Sequence, residues 1–267
     1  MTDTPKNAFR ARSADVARAH ASYGWAARLG LIVPTTNTVN EAEWQAVLSA
    51  AEGISLHVAR MQLHLEHRTG EGSACQLTAD MKIALGQLSA AGPDAIAYGC
   101  TAGSMVSPLD ALADAMRGET RVPCATTASS LVYAARSLGL KKVVVATPYA
   151  EPLNAHEADY LEANGLSVVA IRGLGIGAGG VHEFRRIAQV PEQDVFAFAL
   201  ESWQPEADGM ILSCTDFPTL RVVPALEAHI GKPVISSNGA TLWRLLQLVG
   251  QRAAFAGRGR LLQGECR

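Results

Sequence analysis

Two cysteines stand at equivalent places in the sequence, and a threonine directly follows each of them. Cys100 comes after the apolar run Ala95–Tyr98, and Cys214 comes after the apolar run Gly209–Leu212. A cysteine thiol has an ordinary pKa of about 8.5, and its thiolate form is a nucleophile and a base. Two such thiols on opposite faces of one carbon atom can act as an acid and a base. The pair therefore predicts proton transfer or thiol addition on a small substrate.

The remaining cysteines favour no other use of sulfur. The chain has five cysteines, an odd number, and it contains no C-x-x-C pair. This pattern argues against a disulfide framework and against a structural zinc site. We therefore expect reduced thiols and no metal. Cys75, Cys124 and Cys266 are predicted to be small buried apolar residues without a chemical role.

The composition is that of a globular protein with a large core. Apolar residues make up 48% of the 267 residues, charged residues make up 18%, and the formal net charge is −2. No basic or acidic block predicts a nucleic-acid surface, and no apolar run reaches the roughly 18 residues of a membrane span. The first 20 residues have no continuous apolar segment of the kind found in secretory signals. These features predict a cytoplasmic protein without nucleic-acid or membrane partners.

The cysteines follow short apolar runs that alternate with longer amphipathic stretches. This alternation predicts an α/β fold with parallel sheets covered by helices. The predicted strands are Leu29–Val33, Ala95–Tyr98, Val143–Ala146, Ser167–Ile171, Gly209–Leu212 and Pro233–Ser236. The predicted helices include Ala42–Ala51, Thr78–Ala91, Ser129–Leu138 and Leu153–Asn164.

The order of these elements repeats once along the chain. RLGLIVPTTN is answered by KKVVVATPYA, and PDAIAYGCT is answered by EADGMILSCT. Pro34 and Pro148 lie 114 positions apart, as do Cys100 and Cys214. The repeat predicts two α/β halves of similar topology, residues 28–138 and 139–255. Residues 1–27 are predicted to be an extension with a peripheral helix, and residues 256–267 a tail.

The repeat also predicts where the two thiols lie. Ligands of open parallel sheets bind beyond the carboxyl ends of the strands. Two halves that face each other would place both thiols in the cleft between them. The loops Pro34, Thr35, Thr36 and Asn37, and the loop with Tyr149, also follow strands and are predicted to line this cleft.

The segments YGCTAGS and SCTDFPTL resemble the two active-site signatures of the aspartate/glutamate racemase superfamily. GLIVPTTNT, ATPYAEPLN and KPVISSNGATLW resemble its branch of maleate cis-trans isomerases and arylmalonate decarboxylases. The resemblance covers about residues 28–262. It implies two Rossmann-like parallel-sheet domains related by pseudo-twofold symmetry, with the active site in the interdomain cleft. It also implies an enzyme without a cofactor that acts on a small carboxylic acid, and a homodimer.

The resemblance implies roles for individual residues as well. Cys100 and Cys214 would face each other across the substrate, and Asn37 and Tyr149 would bind its carboxylate. Negative charge that develops on this carboxylate needs hydrogen-bond donors. The candidate donors are Thr101, Ser104, Thr215, Asn37, Tyr149, Ser236 and Ser237. The predicted substrate-binding residues are Pro34, Thr35, Asn37, Thr101, Ala102, Tyr149, Thr215 and Asp216.

The family pattern leaves the reaction open. Arylmalonate decarboxylases carry glycine where this chain has Cys100, which argues against decarboxylation. Maleate isomerases follow their second cysteine with Val-Gln, whereas Thr215-Asp216 of this chain looks more like the amino-acid racemases. We expect an isomerase of the maleate or the Asp/Glu racemase type. A decarboxylase of an aryl malonate and a non-catalytic protein that binds small acids are the alternatives.

Two further motifs each have a simpler interpretation than a cofactor or metal site. Gly175, Gly177 and Gly180 match the G-x-G-x-x-G pattern of dinucleotide sites, but they belong to a run with more glycines than the motif needs. We expect a flexible loop over the cleft and no nicotinamide cofactor. The cluster HLEHR at residues 64–68 is predicted to be a loop or lid near the substrate rather than a metal site.

Overall fold

The computed structural model describes residues 21–63, 77–252 and 254–265. The first half of the chain forms a four-stranded sheet in the order β2-β1-β3-β4, in which all paired strands are parallel. Its strands are β1 (Ala27–Pro34), β2 (Ile54–Met61), β3 (Ala95–Tyr98) and β4 (Cys124–Thr126). Its helices are α1 (Asn40–Leu48), α2 (Ala79–Ala90), α3 (Thr101–Ser104), α4 (Ala111–Thr120) and α5 (Thr127–Ser137).

The second half repeats this arrangement in the strand order β6-β5-β7-β8. Its strands are β5 (Lys142–Tyr149), β6 (Ser167–Ile176), β7 (Gly209–Leu212) and β8 (Val234–Ser236). Its helices are α6 (Glu151–Ala163), a 3₁₀ helix (Val181–Gln189), α7 (Glu192–Ser202), α8 (Val222–Ile230), α9 (Ser237–Leu248) and α10 (Arg260–Gln263).

The strand register shows the repeat that the sequence predicts. Leu29 of β1 pairs with Ala95 of β3, and Val143 of β5 pairs with Gly209 of β7. Both members of the second pair lie 114 positions after those of the first. The prediction of an α/β fold with two equivalent parallel sheets is therefore confirmed. The boundaries 28–138 and 139–255 stay a prediction.

Two strands, β2 and β4, were absent from the predicted set. In β2 only Ala59 and Met61 are buried, because the strand lies at the edge of its sheet, so its apolar pattern is weak. Strand β4 has only three residues. Both strands are too short or too polar to stand out from sequence alone.

One cluster of buried apolar residues includes side chains from both sheets, and a second, smaller cluster lies in the first half. Helices α5 and α9 occupy equivalent positions after β4 and β8, and they pack against each other between the sheets. Each begins after a hydroxyl side chain that caps it: Thr126 accepts from the Ser129 N–H, and Ser236 accepts from the Gly239 N–H. Such caps satisfy N–H groups that have no acceptor within the helix.

The ends of the chain differ from the prediction. Residues 256–267, predicted to be a tail, contain α10 in their described part, and its Leu261 and Leu262 are buried in the core. The carboxylate of Glu227 accepts from the Arg260 N–H at 2.9 Å and fixes the start of this helix. The predicted peripheral helix falls mostly on residues 1–20, which lie outside the described residues, as does the cluster at 64–68. Within the described ranges no helix is long and apolar enough to cross a bilayer.

Candidate active site

Cys100 and Cys214 line the same cavity between the two sheets. Both side chains are buried, with 5% and 7% of their surface exposed, and neither forms a disulfide in the described part of the chain. The cavity has about 40 Å³ for the centres of water molecules, which is room for about three waters. The lining residues are Pro34, Thr36, Asn37, Leu63, Cys100, Thr101, Ala102, Tyr149, Phe184, Ile187, Cys214, Thr215 and Asp216.

Cys100 lies directly before the short helix α3. Its Sγ accepts a hydrogen bond from the Gly103 N–H at 3.1 Å, and its carbonyl accepts from the Ser104 hydroxyl at 2.6 Å. A side chain at Gly103 would collide with the Tyr98 hydroxyl and with the Cys100 sulfur. The N–H···S bond is stronger when the sulfur carries negative charge. The Gly103 N–H is therefore placed to stabilise negative charge on the Cys100 sulfur.

Cys214 occupies a strained turn after β7. Its φ of 92° lies in the left-handed region that side-chain-bearing residues rarely adopt. The turn lets Sγ accept from the Asp216 N–H at 3.4 Å, while the Cys214 N–H donates to the Ser237 hydroxyl at 3.0 Å. Burial raises the pKa of the Cys214 thiol above its ordinary range, and the hydrogen bond from Tyr149 offsets part of this shift. The negative charges of Asp216 and Cys100 raise this pKa further, so the surroundings of Cys214 favour the neutral thiol.

Tyr149 is hydrogen-bonded to the Cys214 sulfur through its phenol. Its own N–H donates to the Thr147 hydroxyl at 3.0 Å, and this hydroxyl donates to Asn154 at 2.5 Å. Burial holds the pKa of Tyr149 well above its ordinary value, and the neighbouring Cys214 adds to this shift. The phenol is therefore protonated and is a hydrogen-bond donor.

The loop after β1 contributes Pro34, Thr36 and Asn37 to the cavity wall. Thr35 was predicted to bind substrate, but it is exposed and is not among the lining residues. Its N–H donates to the Met61 carbonyl at 2.9 Å and continues the ladder between β1 and β2, so its side chain points away from the cavity. Thr36 lines the cavity in its place.

Several predicted donors hold the two halves together. Thr215 donates through its hydroxyl to the Gly99 carbonyl at 3.0 Å and accepts from the Asn37 amide at 3.1 Å. The hydroxyls of Thr101 and Ser237 are 2.9 Å apart and hydrogen-bonded. Ser104 and Ser236 make helix-terminal bonds and are not among the lining residues, and neither is Ser237. The prediction that these three serines donate to the substrate has no support in the geometry.

Asp216 lines the cavity and also joins the halves. Its Oδ1 accepts from the N–H groups of Thr38 at 2.8 Å and Val39 at 3.2 Å, just before α1. Burial raises the pKa of this carboxyl to about 6, and the two N–H bonds offset part of the shift. Its equivalent in the other half is Ala102, so the cavity has a carboxylate on one side only.

An apolar wall of the cavity was missed by the sequence reasoning. Phe184 and Ile187 come from the 3₁₀ helix, where residues three apart share one face. The preceding glycine run was predicted to be a flexible loop. Instead, Gly173 to Ile176 extend β6, and the Glu183 carboxylate accepts from the N–H groups of Gly177 and Gly179 in the turn that follows. The spacing of Phe184 and Ile187 was the available signal.

Groups of three or more His, Cys, Asp or Glu side chains that could hold a metal ion are absent from the described residues. The polar groups among the lining residues are two thiols, a phenol, three hydroxyls, an amide and one carboxylate.

Comparison with known proteins identifies the family. The sequence model of the arylmalonate decarboxylase family matches residues 29–262. The chain belongs to this family. A maleate isomerase of Nocardia farcinica is 30% identical over 247 residues, which cover 88% of this chain and 95% of that protein. The family that the sequence predicts is thus confirmed.

Solved structures of this arylmalonate decarboxylase family share the fold. The maleate isomerase Iso of Pseudomonas putida S16, an alanine variant with maleate, superposes with a TM-score of 0.80 at 27% identity, over 90% of this chain and 98% of that one. A serine variant of the Nocardia farcinica maleate cis-trans isomerase, with a covalently bound succinylcysteine intermediate, superposes with a TM-score of 0.77 at 27% identity, over 89% and 98%. The prediction of a cysteine-dependent isomerase is confirmed at the level of enzyme class.

Proposed function

We propose that this protein isomerises a small carboxylic acid, with Cys100 and Cys214 as the catalytic pair and without a cofactor. The observation that carries the proposal is the placement of both buried thiols on one cavity, each with an N–H group directed at its sulfur. An isomerisation needs a group that attacks or removes a proton and a group that returns one. Two thiols of opposite protonation state supply both.

The two cysteines differ in the charge they carry. We assign Cys100 as the thiolate, because the Gly103 N–H donates to its sulfur at the start of α3. We assign Cys214 as the thiol, because burial raises its pKa and the negative charges of Asp216 and Cys100 raise it further. The two titrations are coupled, so the proton belongs to the pair rather than to one sulfur alone.

On an unsaturated acid, the pair would act by addition and elimination. The Cys100 thiolate forms a C–S bond with one alkene carbon, and the alkene electron pair moves onto the neighbouring carbon and its carboxylate. The Cys214 thiol protonates that carbon. Rotation about the new single bond follows, Cys214 takes a proton back, and the electrons re-form the alkene as the C–S bond breaks. The succinylcysteine intermediate of the Nocardia relative supports this order of steps.

On a saturated acid, the same pair would invert the α-carbon. One thiolate removes the α-proton, and the opposite thiol delivers another proton to the other face. Both routes place negative charge on the carboxylate as an enediolate. We propose that the Tyr149 phenol and the second N–H of the Asn37 amide donate to it, because both side chains line the cavity.

The apolar wall favours a second candidate function, decarboxylation of a disubstituted malonate. Leu63, Phe184 and Ile187 would accept an apolar substituent or surround a departing carboxylate. This reaction needs Cys214 as proton donor and has no use for Cys100. Carbon dioxide release from an aryl malonate, by the wild type and by Cys100→Gly, measures it. If Cys100→Gly releases carbon dioxide faster than the wild type, the result would support a pocket descended from a decarboxylase. It would not support decarboxylation as the present activity.

The single-cysteine variants test the main proposal. We expect Cys100→Ser and Cys214→Ser each to lower the rate of conversion of a small acid by at least about a hundredfold, the lower range of an acid–base contribution. Cys124→Ser is the matched control, since Cys124 is half-buried at the start of β4 and is not a lining residue. A single variant of the pair that retains the wild-type rate would contradict the proposal.

We further propose that the protein works in the cytoplasm, where thiols are kept reduced. The homodimer that the family resemblance implies stays a prediction, and light scattering of the purified protein measures it.

A further inference from the structure

Among the described residues that line the cavity, one is acidic and none is a cation. Asp216 is the sole carboxylate among the described lining residues, and no lysine, arginine or histidine stands with it there. A substrate that enters meets one negative side chain in addition to the thiolate. Because the surroundings are buried, charges are screened less than in water.

The hydrogen bonds that the described residues donate to Asp216 all go to one of its two oxygens. Oδ1 accepts from the N–H groups of Thr38 and Val39, and no described residue donates to Oδ2. The side chain is 6% exposed and lines the cavity. An unfilled carboxylate oxygen in such a place accepts from a donor on the ligand, or it remains an uncompensated charge.

One described cation acts on this carboxylate, and it is hydrogen-bonded to other groups. The Arg60 guanidinium lowers the pKa of Asp216 from a distance. Its two terminal nitrogens donate to the Asn37 carbonyl at 2.6 Å and to Glu41 at 3.0 Å. Arg60 is therefore already paired with Glu41, and the charge of Asp216 still faces the cavity.

The equivalent position in the first half shows the contrast. Ala102 occupies it, so the apolar methyl group on that side leaves room for a carboxylate without repulsion. The repeat makes the two sides of the cavity alike in backbone and different in charge. A ligand with one negative and one hydrogen-bond-donating end matches this asymmetry.

We infer that Asp216 determines the class of substrate: a small monoanionic carboxylic acid whose second polar group is an N–H or ammonium donor to Oδ2. A dianion is disfavoured because its second carboxylate would face Asp216. The inference rests on the proposed function, since it assigns the ligand of the same cavity. It goes beyond that function because it selects among small acids.

A matched pair of ligands tests the inference on the wild type. Succinate and its monoamide, succinamate, have the same shape. In succinamate a neutral amide, which donates N–H groups, replaces one of the two carboxylates. Each is titrated as a protectant of Cys100 and Cys214 against iodoacetamide, with alkylation read by peptide mass spectrometry. We expect succinamate to protect at a concentration about tenfold lower than succinate, the effect of one partly screened charge.

The Asp216→Asn variant removes the charge and keeps the fold of the loop. Its amide oxygen can still accept from Thr38 and Val39, whereas Asp216→Ala loses the charge and the bonds together. We expect the preference for succinamate to fall to within about twofold in the Asn variant, as one carboxylate charge is lost. We also compare the rates at which the cysteines react with anionic iodoacetate and with neutral iodoacetamide. The ratio of the iodoacetate rate to the iodoacetamide rate should be about tenfold higher in the variant than in the wild type.

Each result decides the inference. Equal or tighter protection of the wild type by succinate would overturn it, and this holds even if the Asn variant does not fold. An unchanged preference in a folded Asn variant would overturn it as well. The proposed function fails separately, because it depends on the loss of conversion in the cysteine variants and not on ligand charge.

Discussion

At the scale of single residues, Cys214 is held in a backbone conformation that its side chain disfavours. Its φ is 92°, and the turn is fixed from both sides by the Ser237 hydroxyl and the Asp216 N–H. A non-glycine residue in such a conformation costs about 1–3 kcal/mol. The cost is retained where the position of the sulfur matters. The strain at Cys214 thus supports a functional role for this cysteine.

The strain predicts that glycine at position 214 gives a more stable protein than alanine, which is the reverse of the usual order. Cys214→Gly and Cys214→Ala both lose the sulfur, but only glycine adopts a positive φ without steric conflict. We expect the glycine variant to be more stable than the alanine variant by about 1 kcal/mol in the free energy of unfolding. Urea denaturation of the two variants measures the difference.

Cys124 supplies the control for this comparison. It lies in the extended strand β4, where glycine gives up side-chain contacts and gains no relief. There we expect Cys124→Ala to be more stable than Cys124→Gly. If alanine is more stable than glycine at position 214 as well, the turn at Cys214 carries no strain.

At the scale of elements, helix α6 buries an acid behind the second half of the site. Glu157 has 1% of its surface exposed, and burial raises its pKa to about 7, with the nearby Ser213 hydroxyl offsetting part of the shift. Its charge also acts on Tyr149, whose pKa it raises. The helix therefore carries a group that is protonated or charged depending on pH near neutrality.

This raised pKa predicts a pH-dependent effect of Glu157→Gln. Below pH 4.5 the carboxyl is neutral in both the folded and unfolded states and contributes nothing to the pH dependence. Between pH 4.5 and about 7 the unfolded chain loses the proton first, so folding of the wild type becomes less favourable as pH rises. We expect the variant to gain about 3 kcal/mol relative to the wild type between pH 4.5 and pH 8.

The measurement is the difference in unfolding free energy between the two proteins across this pH range. Other buried acids, such as Glu43 and Asp216, titrate in both proteins and cancel in the difference. A difference that stays constant from pH 4.5 to pH 8 would show that Glu157 does not titrate as its burial implies.

The elements that carry the cysteines could be predicted from sequence, and the apolar wall could not. Strands β3 and β7 are continuous apolar runs that end just before a Cys-Thr pair, so periodicity and spacing are sufficient. The wall depends on where the 3₁₀ helix packs, which is a tertiary contact that local pattern does not encode. Phe184 and Ile187 could be recognised as apolar neighbours, but not as cavity residues.

At the scale of the whole molecule, the two halves meet around the cysteines through paired polar contacts. The Thr215 hydroxyl donates to the Gly99 carbonyl, and the Thr241 hydroxyl donates to that of Thr127 between α9 and α5. The Glu43 carboxylate accepts from the Thr219 N–H at 2.6 Å across the same interface. These contacts and the shared core make the cleft a fixed cavity rather than a gap between separate domains.

The repeat explains what could be foreseen of this arrangement and what could not. The offset of 114 positions, which the two cysteines share with Pro34 and Pro148, predicts that both thiols reach the same cleft. It does not predict departures from symmetry, because those depend on single substitutions. Asp216 opposite Ala102 is such a departure, and the turn of Thr35 to solvent is another.

The central claim is that both cysteines act on one substrate from opposite sides. The most direct measurement is conversion in deuterium oxide, followed by nuclear magnetic resonance, of the small acid that the wild type converts fastest. For the wild type we predict isomerised product, which carries a solvent deuteron at the α-carbon when the acid is saturated. For Cys100→Ser and Cys214→Ser, each folded like the wild type, we predict no isomerised product. Isomerised product from either single variant at the wild-type rate would contradict the account.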